Sequence, residues 1–141
     1  KLATKHPDIF CAAASHSGAV EMASRPADQA QNINPETAAI FGDDPSGGSN
    51  DLFALTKNAD PANRPALRID CGVDDFLIEH NRRFHDHLNK IGYVHEYAEH
   101  PGGHEWGYWD AHILDSLKFF GAQLGFEFRP EDHIYPREVA R

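Results

Sequence analysis

Pro65-Ala66-Leu67-Arg68-Ile69-Asp70-Cys71-Gly72-Val73-Asp74-Asp75-Phe76-Leu77 is the stretch on which the fold turns. Residues 65–72 read as a strand closed by glycine. From Phe76 the apolar positions change to helical spacing, with Phe76, Leu77, Phe84, Leu88 and Ile91 on one face, Asp75 placed as the cap and Gly92 at the stop. A further strand is expected from Val94 to Glu99, followed by the turn Pro101-Gly102-Gly103. Beyond it Trp109, Ile113, Leu117, Phe120 and Leu124 step by 4, 4, 3 and 4, which predicts an amphipathic helix ending at Gly125 with that face on the core. On the amino-terminal side, Ile9-Phe10-Cys11-Ala12-Ala13-Ala14-Ser15 is a continuous apolar run, the pattern of a strand buried on both faces. Residues 1–6 read as the end of a helix stopped by Pro7. The order helix, strand, excursion, strand, helix, strand, helix argues for an α/β domain with a parallel sheet.

The excursion, residues 19–64, is polar and carries Pro26, Pro35, Pro45, Pro61 and Gly47-Gly48. Short helices are expected at 35–41 and 49–58, and a connection of this length more often caps or lines a site than merely joins two strands. Residues 126–141 form a mixed polar tail.

The whole sequence of 141 residues fits one domain of ordinary size. Thirteen Lys and Arg against twenty-two Asp and Glu leave a net charge of −9, the wrong sign for a nucleic-acid partner, whose phosphates require a basic face. The apolar runs are far shorter than the ~20 residues a spanning helix needs, so no membrane partner is expected. Cys11 and Cys71 lie 60 residues apart in apolar surroundings and read as free thiols. No basic-then-apolar leader stands at Lys1, which leans towards a cytoplasmic location, although sequence upstream of Lys1 would carry any leader.

Reactive groups of open α/β sheets collect at the carboxyl ends of the strands. Asp74 and Asp75 stand there after the second strand, and His104 after the third, in His100-Pro101-Gly102-Gly103-His104-Glu105-Trp106. A carboxylate beside an imidazole fixes its tautomer and stabilises the imidazolium, which makes His104 a candidate general base and then general acid. Taken alone, Asp75 reads equally as a helix cap and His104 as a turn residue. Trp106, Tyr108 and Trp109 are candidates for the wall of a pocket, or for packing under the last helix.

Gly72-x-x-Asp75-Phe76-Leu77, then, 29 positions on from Asp75, Pro101-Gly102-Gly103-His104-Glu105-Trp106-x-Tyr108-Trp109, resemble the last third of the α/β-hydrolase fold. The nearer resemblance is to the esterase family that includes esterase D, S-formylglutathione hydrolase, tributyrin esterase and the antigen 85 mycolyltransferases. Lys5-His6-Pro7-Asp8-Ile9 through Ser15-His16-Ser17-Gly18 is similar to that family's segment after the nucleophile helix. The resemblance covers nearly all of residues 1–125 and implies the carboxyl-terminal part of an esterase domain. It assigns the triad acid to Asp75 and the triad base to His104, in the chain order Ser, Asp, His. Trp106 and Tyr108 become candidate substrate-binding residues, the partner a small-molecule ester, and no cofactor is implied.

The Gly-x-Ser-x-Gly elbow of such enzymes is absent: Ser15, Ser17, Ser46 and Ser49 lack glycines two positions away on both sides. The nucleophile is expected about ten residues upstream of Lys1. Without it the chain would be inactive, and the edge of the strand at 9–15 would be covered by the amino-terminal part of the enzyme or by a second copy. A non-catalytic folded remnant or binding module is the competing reading. A metal protein is the third, suggested by His80, His85, His87, His100 and His104. It is disfavoured because Pro101-Gly102-Gly103 separates the last two, His85 and His87 point about 200° apart on a helix, and His-Glu-x-x-His does not occur. No metal is expected.

Overall fold

In a computed structural model of the chain, residues 1–24, 35–42 and 46–126 are described. The elements in chain order are α1 (Leu2–Lys5), β1 (Ala12–His16), α2 (Pro35–Phe41), α3 (Leu52–Asn58), a 3-10 turn at Pro61–Asn63, β2 (Ala66–Gly72), α4 (Ile78–Lys90), β3 (His95–His100) and α5 (Trp106–Leu124). The three strands form a parallel sheet in the order β1-β2-β3, with His16 opposite Asp70 and Gly72 opposite His100. The fold is the α/β arrangement expected from the sequence. The polar tail, 127–141, and parts of the excursion, 25–34 and 43–45, lie outside the described residues.

One sheet face is apolar. Leu67, Ile69 and Cys71 alternate along β2, all buried; Leu67 and Ile69 cluster with Phe84 and Leu88 of α4, with Val20 and Tyr93 closing the core. Each such side chain, fully buried, is worth about 1.5–3 kcal/mol. The opposite face of β2 carries Arg68 and Asp70, both buried, so this strand is not apolar on both sides. β1 starts later than its apolar run: Ile9 and Phe10 precede it exposed, and all five of its residues are only half-buried. A strand paired on one side alone, as β1 is among the described residues, has no neighbour to complete its burial.

The expected face of α5 is also corrected. Ile113 and Leu124 are 42% and 60% exposed, while Tyr108, Ser116, Phe119 and Gly121 are buried. The sheet face beneath α5 presents His16 and Asp70, and buried polar groups require hydrogen-bond partners that Ile and Leu lack. His16 Nδ1 donates to Asp70 Oδ1 at 2.8 Å, Tyr108 OH donates to the same oxygen at 3.1 Å, and the Ser116 hydroxyl meets His16 Nε2 at 2.9 Å. Gly125, left-handed at φ 77°, ends the helix where the sequence placed its stop.

Acid should loosen this fold. Burial holds His85, His87 and His112 below the ordinary histidine value of 6.5, aided at His85 by His95 and at His112 by His100. His85 donates from Nδ1 to His95 Nε2 at 2.8 Å and accepts from Asn89 on its other nitrogen, an arrangement that needs the neutral ring. A folded pKa below the unfolded one means the unfolded chain takes the proton first, so stability is complete above about pH 6.5 and declines below it. Urea midpoints are expected to fall between about pH 8 and pH 5, and less so in His85→Gln. A midpoint that is flat or rises on acidification would contradict this.

Candidate active site

β2 ends at Gly72 and the chain turns through Val73 and Asp74 into Asp75. β3 ends at His100 and turns through Pro101-Gly102-Gly103 into His104. The two turns are sewn together by backbone: Val73 N–H donates to His100 O at 2.9 Å and Asp74 N–H to Gly102 O at 3.0 Å. Gly72 makes this approach possible, since a Cβ there would lie 2.2 Å from Gly102 O. Gly102 itself is left-handed at φ 126°, a conformation that only glycine adopts readily.

The structure brings Asp75 and His104 together: His104 Nδ1 donates to Asp75 Oδ2 at 3.0 Å. Asp75 does not cap α4, which begins at Ile78 with Leu77 in the cap position. Its Oδ1 instead accepts the Leu77 N–H at 2.8 Å, two residues on, an Asx-type turn. Burial opposes ionisation of Asp75, but hydrogen bonds from the Ser17 hydroxyl, the Leu77 amide and His104 outweigh it and hold its pKa below the usual aspartate value. Asp75 is buried whereas His104 is one-third exposed. With Nδ1 committed to the carboxylate, the lone pair of a neutral His104 sits on Nε2. Among the described residues only Nδ1 of this ring carries a hydrogen bond.

Two aromatic rings whose spacing predicts core faces flank the imidazole. Phe76 is 75% exposed with its centroid 4.8 Å from His104, and Trp109 stands edge-on at 5.0 Å. Trp106 packs edge-on to Trp109 and is 83% exposed, whereas Tyr108 is buried with its hydroxyl on Asp70. The side chain of Tyr108 is therefore committed to the interior, and of the two candidate substrate-binding residues only Trp106 faces solvent. Asp74 is exposed and contributes backbone to the turn.

A second Ser–His–Asp arrangement, Ser116–His16–Asp70, has shorter contacts than the Asp75–His104 pair. Ser116 is 1% exposed in the interior of α5, so its hydroxyl has no path to a substrate, and the group locks α5 to the sheet. Ser17 stands at a strand end with φ 52°, but it is buried, and its hydroxyl meets the Cys71 thiol at 4.0 Å, not His104 Nε2. Among the described residues one cluster brings three possible metal ligands together, His100, His112 and Asp115, within 4.8 Å. The two imidazoles are stacked, 4.0 Å apart and 9° from parallel, and an imidazole binds a metal in its own plane, so no position serves both. A cavity of about 190 Å³ lies beside β1, lined in part by Ala13, Ser15, Leu52, Leu67 and Phe84; neither Asp75 nor His104 lines it.

Over residues 1–120 the chain matches the family model described as Putative esterase. It is 32% identical over 84 residues to an acetyl esterase from Caldicellulosiruptor saccharolyticus, which covers 57% of this chain and 32% of the relative. Among solved structures it is similar to an S-formylglutathione hydrolase from Staphylococcus aureus, with TM-score 0.66 and 28% identity over 84% of this chain and 47% of that one. A ferulic acid esterase gives TM-score 0.64 and 26% identity over 86% and 45%. The chain thus spans from about a third to about half of the length of these proteins.

Proposed function

The chain belongs to this esterase family, and from that premise we propose that it carries the acid and base of a carboxylic ester hydrolase whose serine nucleophile lies upstream of this sequence. The observation that carries the reading is the 3.0 Å contact of Asp75 Oδ2 with His104 Nδ1 at adjacent strand ends, with no hydrogen bond on the other ring nitrogen among the described residues. Support for the outlying nucleophile comes from the absence of Gly-x-Ser-x-Gly in the 141 residues and from the greater length of the relatives.

In this mechanism His104 Nε2 takes the proton of the serine hydroxyl as its oxygen bonds to the acyl carbon. Asp75 stays ionised and stabilises the imidazolium. His104 then returns the proton to the departing alkoxide, and the alcohol leaves behind an acyl-enzyme. Water repeats the sequence: His104 accepts its proton, the hydroxyl oxygen adds to the acyl carbon, and the carboxylic acid departs as the serine regains its proton. Trp106, with Phe76 beside the imidazole, would meet the substrate at the mouth of the site. The open edge of β1 is covered, in the same reading, by the segment that brings the nucleophile or by a second copy of the chain.

The test is turnover of a short-chain p-nitrophenyl ester by the full-length protein and by these 141 residues alone. Turnover is expected for the first and background hydrolysis for the second, since an imidazole and a carboxylate without a nucleophile activate water only weakly. Full-length protein inert towards a panel of short acyl esters, or robust turnover by the 141 residues, would overturn the reading.

A further inference from the structure

The two turns joined beside His104 each leave an aromatic ring in solvent. In the turn after β2, the bond from Leu77 N–H to Asp75 Oδ1 goes with burial of both positions, and Phe76 between them is exposed. In the turn after β3, Glu105 stands in the cap position of α5 and Trp106 is its first residue, exposed, whereas Tyr108 is buried and Trp109 half-buried. The rings make one series. Phe76 and Trp109 lie against the imidazole at 4.8 and 5.0 Å, and Trp106 stands nearly perpendicular to Trp109 at 5.1 Å, one ring further out. An exposed apolar series around a reactive group has the character of a ligand surface, not of a core.

The proton path says which part of an ester lies there. His104 returns its proton to the departing alkoxide, so that oxygen must stand within hydrogen-bond reach of Nε2, about 3 Å. The carbons attached to it then lie among the rings that flank the imidazole. The acyl carbon, by contrast, is held by the serine, whose elbow is not among these residues. Phe76 is near enough to the imidazole to meet the first carbons of any alcohol; Trp106, beyond Trp109, is reached only by a larger one. Neither 72–77 nor 100–109 contains Lys or Arg, and each exposes a carboxylate, Asp74 and Glu105. An alcohol bearing a negative group would meet like charge there.

We propose that Phe76 and Trp106 form the subsite for the alcohol portion of the ester and select a large, neutral, apolar alcohol. The inference rests on the esterase reading and deepens it, by naming the part of the substrate that these residues choose.

The test uses the full-length protein and two acetates that differ only by a phenyl group, 2-phenylethyl acetate and ethyl acetate, whose alcohols leave with nearly equal ease. kcat/KM is expected to favour the first by about tenfold or more, the effect of seating one ring among apolar neighbours. In Phe76→Ala and in Trp106→Ala that ratio is expected to fall several-fold towards one. The order of rates on ethyl acetate, ethyl butyrate and ethyl hexanoate should be retained, because the acyl chain lies elsewhere. Phe76 sits in an exposed turn, so its variant carries the test even if Trp106→Ala fails to fold. A ratio near one in the parent, a ratio left unchanged in either folded variant, or a variant that reorders the acyl series would overturn the proposal. A full-length protein that turns over none of these esters would sink the esterase reading and this inference with it, whereas one that hydrolyses both acetates alike would sink the inference alone.

Discussion

His104→Ala in the full-length protein is expected to lower kcat towards a short-chain p-nitrophenyl ester by about 10⁴-fold or more, with the protein still folded. In the proposed mechanism the imidazole shuttles the serine proton, and without it the attacking oxygen must lose that proton to water. Folding should survive because His104 lies in a surface turn whose backbone is held independently, by Val73 N–H on His100 O and Asp74 N–H on Gly102 O. Asp75 keeps the hydrogen bond from the Leu77 amide, so its buried charge is not left bare. Asp75→Asn is expected to cost about as much in kcat, because an amide donor in place of Oδ2 favours the tautomer that puts the proton on Nε2, where the lone pair is needed. Melting curves alongside the kinetics separate lost chemistry from lost structure; a His104→Ala protein that keeps even a tenth of the parent kcat would remove His104 from the mechanism.

Gly72→Ala has the second large expected effect, acting on stability and activity together. Its methyl carbon would lie 2.2 Å from Gly102 O and 2.7 Å from Gly102 C, both backbone atoms with no flexible side chain to yield. Either the end of β2 or the Pro101–Gly103 turn must move. Overpacking of this kind costs about 1–3 kcal/mol, read as a lower urea midpoint. The displaced turn carries His104 directly, so kcat should fall by more than the loss of folded protein explains. A variant with the parent's midpoint and kcat would show that the two turns do not need their present spacing.

The alternation of strands and helices was legible because each period persists over several residues, as in β2 with Leu67, Ile69 and Cys71 against α4 with Phe84 and Leu88. Asp75 and His104 could be singled out because both follow a strand directly and Gly102-Gly103 leaves a helix no room before His104. The buried stripe of α5 was not legible from its own sequence. Its apolar residues suggested one face, but the sheet beneath carries His16 and Asp70, and that demand for polar partners, visible only in three dimensions, selects Tyr108 and Ser116 instead. Phe76 was counted with the core because its spacing fits, yet α4 begins two residues after it and leaves the ring outside, against His104.

The account stands or falls on where the nucleophile is and whether His104 activates it, and a fluorophosphonate reports on both, since it bonds to an activated serine. In the full-length protein a single adduct is expected on a serine outside the 141 residues, forming far more slowly in His104→Ala. An adduct on Ser17, Ser116 or any other serine of this sequence, or labelling as fast without His104 as with it, would contradict the account.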